Sequence, residues 1–566
     1  MQSHLKSKYG YNEFRVCQKD IITDILNGEN VIVVMSTGAG KSLCYQFPAT
    51  YSNKISIVIS PLISLMEDQQ LFLEKKGIPC MCLNSVSISK NKFDECNVVY
   101  TTPEYFISNL IFFTNKLNNI CLIAIDEAHC LSAWGHDFRP SYKKLTLIKE
   151  KFVNIPIMLL TATATPFVLD DIFDTIGFDD AKEYNLGTRR PNLHIQICQK
   201  TNLINDLKII DKNESTIIYT QTRKKAEEVC SILLEQGFEC EYFHAGMSCE
   251  ERSIIHKKFS IDKCKILVAT ICFGMGIDKS NIRTIINWGA PCDIETYYQE
   301  IGRAGRDGIN SKVIMFYEES DFITNRFLIS KSALVEHRIK LLNIFKKYIN
   351  NEDICRQILI EEYFETGNIL PKISKDNKKC LKCDNCNRKE TITQNVSILK
   401  EANMIINMVS SLPINYGITK LINALRGNCQ SNLHSLINNA YYGVGKQYSI
   451  KWLKEIFAML IQQDYLIQKP YKFYNVIKIG KVFNTNIFEL KFKKDIKLTE
   501  YENIRKKIAL EFNISPYMII NDNVLQQISN VKPTSSEELL MIDGINMNFV
   551  IKYGKFFLSE NSTNLP

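Results

Sequence analysis

No stretch of this 566-residue chain approaches the run of ~18 apolar residues that a membrane-crossing helix requires. Its opening residues, MQSHLKSKYGYNEF, lack the apolar core of a secretory leader. There is no internal repeat, no low-complexity tract, no second phosphate loop and no evident nuclear-localisation run. Nor is there a disulfide framework. The 19 cysteines are mostly scattered singly, and a chain of this length has enough core not to need stapling. These absences argue against a membrane transporter, a secreted protein and large-scale disorder, and they set the expectation of an intracellular chain of small buried thiols.

What is present is ordinary globular composition, 45% hydrophobic and 23% charged. At ~100–200 residues per domain the length implies roughly three to five domains. A net charge of +8 suits a polyanionic partner without requiring one.

Short apolar runs alternate with helical patterns from about residue 30 to 320. The first set is Val31–Met35, Ser56–Ser60, Val98–Thr101, Cys121–Ile125 and Ile157–Thr161. The second is Thr216–Thr220, Lys265–Ala269, Thr284–Asn287 and Lys312–Tyr317. Runs apolar on both faces belong to buried parallel strands, so two doubly wound α/β domains are expected, with a break near Leu186–Leu193. Beyond residue 335 the strand rhythm gives way to helices, a Lys- and Cys-rich stretch, short helices followed by strands, and a final helical segment.

Three motifs lie at the expected carboxyl ends of these strands, where open parallel sheets bind ligands. The first, Ser36-Thr37-Gly38-Ala39-Gly40-Lys41-Ser42, follows a strand and opens a helix. Backbone N–H groups there can cradle a phosphate; Lys41 would reach the β/γ-phosphates and Ser42 would hold magnesium. Met35 stands where the strict phosphate-loop pattern has its first Gly. The second is the strand Cys121–Ile125 followed by Asp126 and Glu127. Asp126 can bind magnesium and Glu127 can take a proton from the attacking water. The third is Gln299 through Gly302, Arg303, Gly305 and Arg306, whose arginines could cross a domain cleft to the transferring phosphoryl group. A solvated acidic pair or a surface arginine turn would explain each of the last two alone, but not their occurrence with the phosphate loop.

In this order the pieces resemble superfamily-2 helicases, and the residues around them resemble the RecQ family. Leu5 through Tyr9-Gly10-Tyr11 to Phe14-Arg15 and Gln18 is similar to that family's adenine-reading motif. The resemblance implies that Gln18, beside Arg15, reads ATP, and that Thr37, Gly38, Ala39 and Gly40 line its phosphates. Ser60–Met66, Thr101–Glu104, Leu160–Ala164 and Ala269–Lys279 resemble the strand-contacting and coupling motifs. Leu131–Tyr142, containing Trp134, Gly135, His136, Asp137, Phe138, Arg139 and Pro140, resembles the aromatic-rich loop. Trp134 and Phe138 could stack on bases and Arg139 could meet a phosphate or complete a charge relay.

Cys380, Cys383 and Cys386 form a CxxCxxC run, with Cys355 upstream on an expected helix. Four thiolates suit a closed tetrahedral zinc site, and an iron–sulfur cluster is the competing chemistry. The RecQ resemblance implies structural zinc. Residues 398–490 resemble the family's winged helix, with a β-hairpin whose Tyr471 and Phe473 could wedge a terminal base pair or simply pack the wing. Lysines 469, 472, 478, 481, 491, 493 and 494 suit phosphate contacts. Residues 498–566 resemble an HRDC domain.

The expected architecture is therefore α/β: two tandem RecA-like parallel-sheet domains (1–192 and 193–340), a zinc-binding helical subdomain (341–395), a winged helix (396–490) and a small helical HRDC-like domain (491–566). The expected activity is ATP-dependent unwinding of DNA, 3′ to 5′, with ATP, magnesium and zinc as cofactors and single-stranded, branched or duplex DNA as partner. An RNA helicase, and an annealing protein with a vestigial motor, are the alternatives.

Overall fold

Strands built from β-branched and other apolar residues on both faces must be covered on both faces, and this chain meets that requirement twice. In the computed structural model the described residues are 1–85, 91–135, 139–178, 181–270, 279–332, 334–369, 379–388, 393–429, 433–471, 474–481, 491–512 and 519–558. They form two units, Met1–Arg388 and Lys389–Pro566.

The first unit contains two parallel sheets. Strands β1 (Val31–Val34), β2 (Ile55–Ile59), β3 (Cys80–Leu83), β4 (Val98–Thr101), β5 (Ile120–Ile125), β6 (Ile157–Thr161) and β7 (Lys182–Asn185) make a seven-stranded sheet in the order β3-β4-β2-β5-β6-β1-β7. Strands β8 (Leu193–Gln199), β9 (Ser215–Thr220), β10 (Cys240–Phe243), β11 (Ile266–Ala269), β12 (Ile282–Trp288) and β13 (Ser311–Tyr317) make a six-stranded one, β10-β11-β9-β12-β13-β8. Every neighbouring pair in both is parallel. The central strands, such as β1, β2 and β9, are buried along their whole length. The first sheet ends with β7 and the second begins with β8, so the chain changes lobe across residues 186–192.

Four strands of these lobes carry no long apolar signal. The β7 sequence, Lys182-Glu183-Tyr184-Asn185, is largely exposed on the sheet edge, and edge strands favour charge because it discourages pairing with other chains. Strand β8, at the other sheet's edge, buries only Leu193 and Ile195. Strands β3 and β10 are four residues long and also lie at edges.

Helices Val335–Asn350 and Arg356–Thr366 follow the second sheet. Tyr297, on helix Ile294–Ile301 of the second lobe, packs against Phe345 and Tyr348 with ring centroids 5.5 and 5.8 Å away. The second lobe and these helices therefore share one core.

The second unit has two cores. Helices Leu399–Ser411, Ile418–Leu425 and Ile450–Gln462 pack with a hairpin of β15 (Leu466–Tyr471) and β16 (Tyr474–Ile479), a winged helix. Helices Ile496–Glu511, Asp522–Val531 and Ser536–Leu540 enclose the other. Strand β14 (Thr393–Ser397) pairs antiparallel with β17 (Lys491–Asp495). Strand β14 spans the expected limit at 395/396 and β17 starts at the one at 490/491, so strands distant in sequence are joined by a backbone ladder that no local pattern announces. No helix among the described residues is long and apolar enough to cross a membrane.

Candidate active site

The phosphate loop forms where β1 ends. Met35 N–H extends the β1–β6 ladder by donating to Thr161 O at 3.1 Å, and the chain then turns through Gly38 (φ 80°) and Gly40 (φ 96°) into helix Lys41–Ser52. Glycine is needed at both positions for backbone angle and for space. A Cβ on Gly40 would lie 2.5 Å from Gln18 Nε2, and one on Gly38 would lie 3.2 Å from the Arg306 side chain. Ala39 sits between them, half-buried, and Ser42 is the second residue of the helix. Lys41 Nζ donates to Met35 O at 2.7 Å. Burial holds its ammonium below the usual lysine range, against the opposing pull of Glu127 and Asp126.

Gln18, 2% exposed, begins helix Gln18–Leu26. Its Nε2 donates to Gly40 O at 2.9 Å, its Oε1 accepts from Arg15 N–H at 2.8 Å, and Arg15 Nη1 donates to Gly38 O at 2.6 Å. Both residues thus border the phosphate loop.

Asp126 follows β5, and its N–H donates to Ile59 O at 2.9 Å. Burial, with Glu127 adjacent, pushes its carboxyl up to about 7 although Lys41 opposes this. A divalent cation there would favour the carboxylate again. Glu127 has φ 51°, a left-handed conformation uncommon for a residue with a side chain. That turn sets its carboxylate 3.3 Å from His129 Nδ1. His129 is buried and also lies 3.2 Å from Thr161 Oγ1 and 3.5 Å from Thr163 Oγ1. The acidic pair is thereby connected to the Leu160–Ala164 segment.

The opposite wall comes from the second lobe. Helix Ile294–Ile301, carrying half-buried Gln299, ends in a turn at Gly302–Gly305. A Cβ on Gly302 would collide with Thr37 Oγ1. Arg303 is 6% exposed; burial lowers its pKa, and Tyr219, Arg306, Glu127 and Glu300 are its charged or titratable neighbours. Glu300 accepts from Asn287 Nδ2 at 2.6 Å, and burial pushes its carboxyl up to about 8.

One residue of this wall escaped the sequence reading. Arg190, 7% exposed, donates through Nη1 to Thr37 O (2.9 Å) and Gly302 O (3.1 Å), and through Nη2 to Ala304 O (2.7 Å) and Gly305 O (3.2 Å). The only sequence signal was a lone Arg-Pro in the interlobe break.

Trp134 is half-buried, with its ring centroid 5.5 Å from that of Phe167 and 5.2 Å from that of His337. The Trp134 backbone N–H donates to Ser132 Oγ, whose hydroxyl donates to Asp171. Arg139 Nη1 donates to Pro61 O at 3.0 Å, joining this loop to the segment after β2. Phe138, with His136 and Asp137, lies outside the described residues, as do Phe473, the Tyr471 side chain and residues 271–278 of the Ala269–Lys279 motif.

The Cys355, Cys380, Cys383 and Cys386 sulfurs lie within 4.8 Å of one another. Cys380 and Cys386 are separated by 3.8 Å, Cys355 and Cys383 by 3.9 Å. A tetrahedron of ~2.3 Å zinc–sulfur bonds has edges of about 3.8 Å, so the four fit zinc. Backbone N–H groups of Cys380, Lys382, Cys383 and Arg356 point at these sulfurs from 3.3–3.5 Å. Cys355 is not within a helix as expected; it is the N-cap of Arg356–Thr366, with ψ 130°. An extended residue there turns its thiol toward the other three. Arg356 beside it is buried and ion-paired with Asp384.

The donor set also fits a nucleoside triphosphate with magnesium: left-handed glycines, a lysine, two carboxylates and two arginines converge, and Thr37 Oγ1 is buried with no hydrogen-bond partner among the described residues. Family models describe the same arrangement. DEAD/DEAH box helicase matches residues 15–172, and helicase conserved C-terminal domain matches 199–308. RecQ zinc-binding matches 319–387, RQC domain 393–506 and HRDC domain 498–560. The ATP-dependent DNA helicase RecQ of Bacillus subtilis is 33% identical over 594 residues, 99% of this chain and 98% of that protein. The chain belongs to the RecQ family. This RecQ chain is also 41% identical, over 82% of its length and 87% of the relative, to a protein of Acanthamoeba polyphaga mimivirus named a putative ATP-dependent RNA helicase. It is 37% identical to a bifunctional 3′-5′ exonuclease/ATP-dependent helicase of mouse, over 82% of this chain and 35% of that protein. A single-residue variant of S. cerevisiae Dbp5, solved bound to RNA and ADP BeF3, shares the fold (TM-score 0.50, 19% identity, 62% of this chain and 92% of that one). As a RecQ protein the chain is an ATP-dependent helicase, a hydrolase that uses ATP with magnesium and carries zinc.

Proposed function

We propose that the chain unwinds DNA, translocating 3′ to 5′ on a single strand and splitting the duplex ahead of it. The observation that carries this is the position of the Trp134 loop. It begins directly after the Asp126–Glu127–His129 cluster and is tied to Pro61 by Arg139, so a strand bound there acts on the hydrolytic groups through covalent continuity. Trp134, Phe138 and Arg139 are the proposed strand contacts, and Tyr471 and Phe473 the proposed wedge. The DNA-helicase relative aligned along nearly the whole chain favours DNA over RNA.

Bound ATP would supply the phosphoryl group and magnesium its charge neutralisation. Gln18 and Arg15 orient the base. Thr37, Gly38, Ala39, Gly40 and Lys41 would hold the phosphates, while Ser42 and Asp126 would hold the metal. Glu127 receives the proton of the attacking water. Arg303 and Arg306 bring positive charge from the other lobe, and Gln299 one turn earlier brings a neutral hydrogen-bonding amide, so turnover requires the cleft to close. The domain limits at 192/193 and 340/341 are part of this reading, as is an intracellular site of action.

Gln18→Ala should raise the KM for ATP about tenfold, the scale of one or two lost hydrogen bonds, and remove much of the preference for ATP over GTP. Competition between the two nucleotides in a turnover assay measures it; retained discrimination would take Gln18 out of the adenine site. The function itself is tested with tailed duplexes of DNA and RNA, each in both polarities, with ATP and magnesium. Unwinding of the 3′-tailed DNA substrate is expected. Stronger turnover and unwinding on RNA would replace DNA with RNA as substrate.

A further inference from the structure

The carboxyl end of a helix leaves carbonyls without intrahelical partners and carries partial negative charge. At the end of helix Ile294–Ile301, inside the ATP cleft, the Tyr298, Glu300 and Ile301 carbonyls accept from the N–H groups of Gly302, Arg303 and Ala304, so the carbonyls in need of donors are those of the following turn, Gly302–Gly305, which contains Arg303 and leads into Arg306. Arg303 is buried and Arg306 half-buried, and the like charge of Arg306 disfavours the charged form of Arg303. Something must hold the backbone beneath them.

Arg190 meets that need. Its fork reaches the carbonyls of Gly302, Ala304 and Gly305 together. Its own backbone is clamped in turn: Arg190 N–H donates to Gln357 Oε1 at 3.3 Å, and Gln357 Nε2 donates to Arg190 O at 3.0 Å. The neighbours are fixed to the second lobe as well. Tyr298 OH donates to Thr188 O, and Asn192 Nδ2 donates to Gly305 O and Ile309 O. The remaining Arg190 hydrogen bond, to Thr37 O at 2.9 Å, crosses to the phosphate loop of the first lobe.

The geometry points to Arg190 as a positioning residue for ATP hydrolysis: it caps the arginine-bearing turn and sets that turn in register with the phosphate loop. This rests on the proposed roles of Arg303 and Arg306. Arg190 touches no reacting atom in this scheme. It acts on the carbonyls behind the two arginines, so its loss affects the transition state more than the binding of ATP. Lysine keeps the charge but lacks the planar fork that spans several carbonyls.

The test uses the full-length protein with zinc, single-stranded DNA and magnesium. Arg190→Lys and Arg190→Gln should lower kcat for ATP about 10²-fold, the scale seen when a preorganised electrostatic group is lost, with KM changed less than about threefold. Guanidinium ion added to Arg190→Ala should restore part of kcat where equal sodium chloride does not. Hydrogen exchange at the amides of Arg303, Ala304 and Gly305 should accelerate in Arg190→Lys, with exchange in β1 unchanged. Wild-type kcat in both Arg190→Lys and Arg190→Gln overturns the proposal, as does a rise in KM with kcat intact. A wild-type protein without nucleic-acid-stimulated turnover would instead remove the proposed function, and the exchange measurement would still decide whether Arg190 holds the turn.

Discussion

Lys41→Ala should reduce DNA-stimulated ATP hydrolysis by at least ~10²–10³-fold, the range found when one preorganised charge-stabilising group is deleted. The reason lies in its placement. Its ammonium donates to the Met35 carbonyl and feels the charge of both Glu127 and Asp126, at the mouth of helix Lys41–Ser52. No other lysine occupies the Ser36–Ser42 loop, and a neutral methyl group cannot follow the charge that spreads over the γ-phosphoryl oxygens. Single-strand binding should survive, because the proposed strand contacts are on a different loop. The two properties are read separately, by phosphate release and by fluorescence anisotropy of a labelled oligonucleotide. Full hydrolysis in this variant would remove the phosphate loop from the mechanism, whereas a flat trace from the unmutated chain with saturating DNA and magnesium would leave the annealing-protein reading in its place.

The second large effect concerns the metal. Cys383→Ser should lower bound zinc from about one per chain to near zero and leave much of the protein insoluble or unfolded at moderate temperature. Structural zinc contributes up to ~10–16 kcal/mol in small modules, and part of that is enough to exceed the ~5–15 kcal/mol that separates most folded domains from unfolding. Cys383 is wholly buried and lies within the core shared by the second lobe and the two helices after it, so the damage should not stay local. Metal release by a chromogenic chelator and the thermal unfolding midpoint measure both parts. A variant with undiminished zinc would mean that three thiols suffice. Iron in place of zinc would turn the site to the iron–sulfur chemistry that the cysteine spacing alone left open.

The lobes were readable because buried parallel strands write themselves as apolar runs, and the proposed hydrolytic groups were picked out because they sit at the ends of those runs. Strand β7 was not readable, since an exposed edge strand made of Lys, Glu, Tyr and Asn has no periodic apolar signal. Cys355 was assigned to the helix it precedes, because capping differs from membership by one residue and by a ψ angle. Strands β14 and β17 were hidden by the distance between them. Arg190 was hidden most completely. Its partners are backbone carbonyls as far as 153 residues away in sequence, and carbonyls are the same at every residue, so no spacing could reveal them. Trp134 was legible as an aromatic in a charged loop, but its neighbours Phe167 and His337 come from helices far apart in sequence.

Three consecutive residues, Cys355, Arg356 and Gln357, face three different tasks: a metal ligand, an ion pair with Asp384, and the clamp on Arg190. A clinician or breeder sorting natural variants by module would file a Gln357 substitution with the zinc domain and look for a loss of metal. Its hydrogen bonds file it with the motor. Such an allele would yield a chain of normal abundance and full metal content that nonetheless fires slowly, and screens that score only expression and stability would pass it as benign.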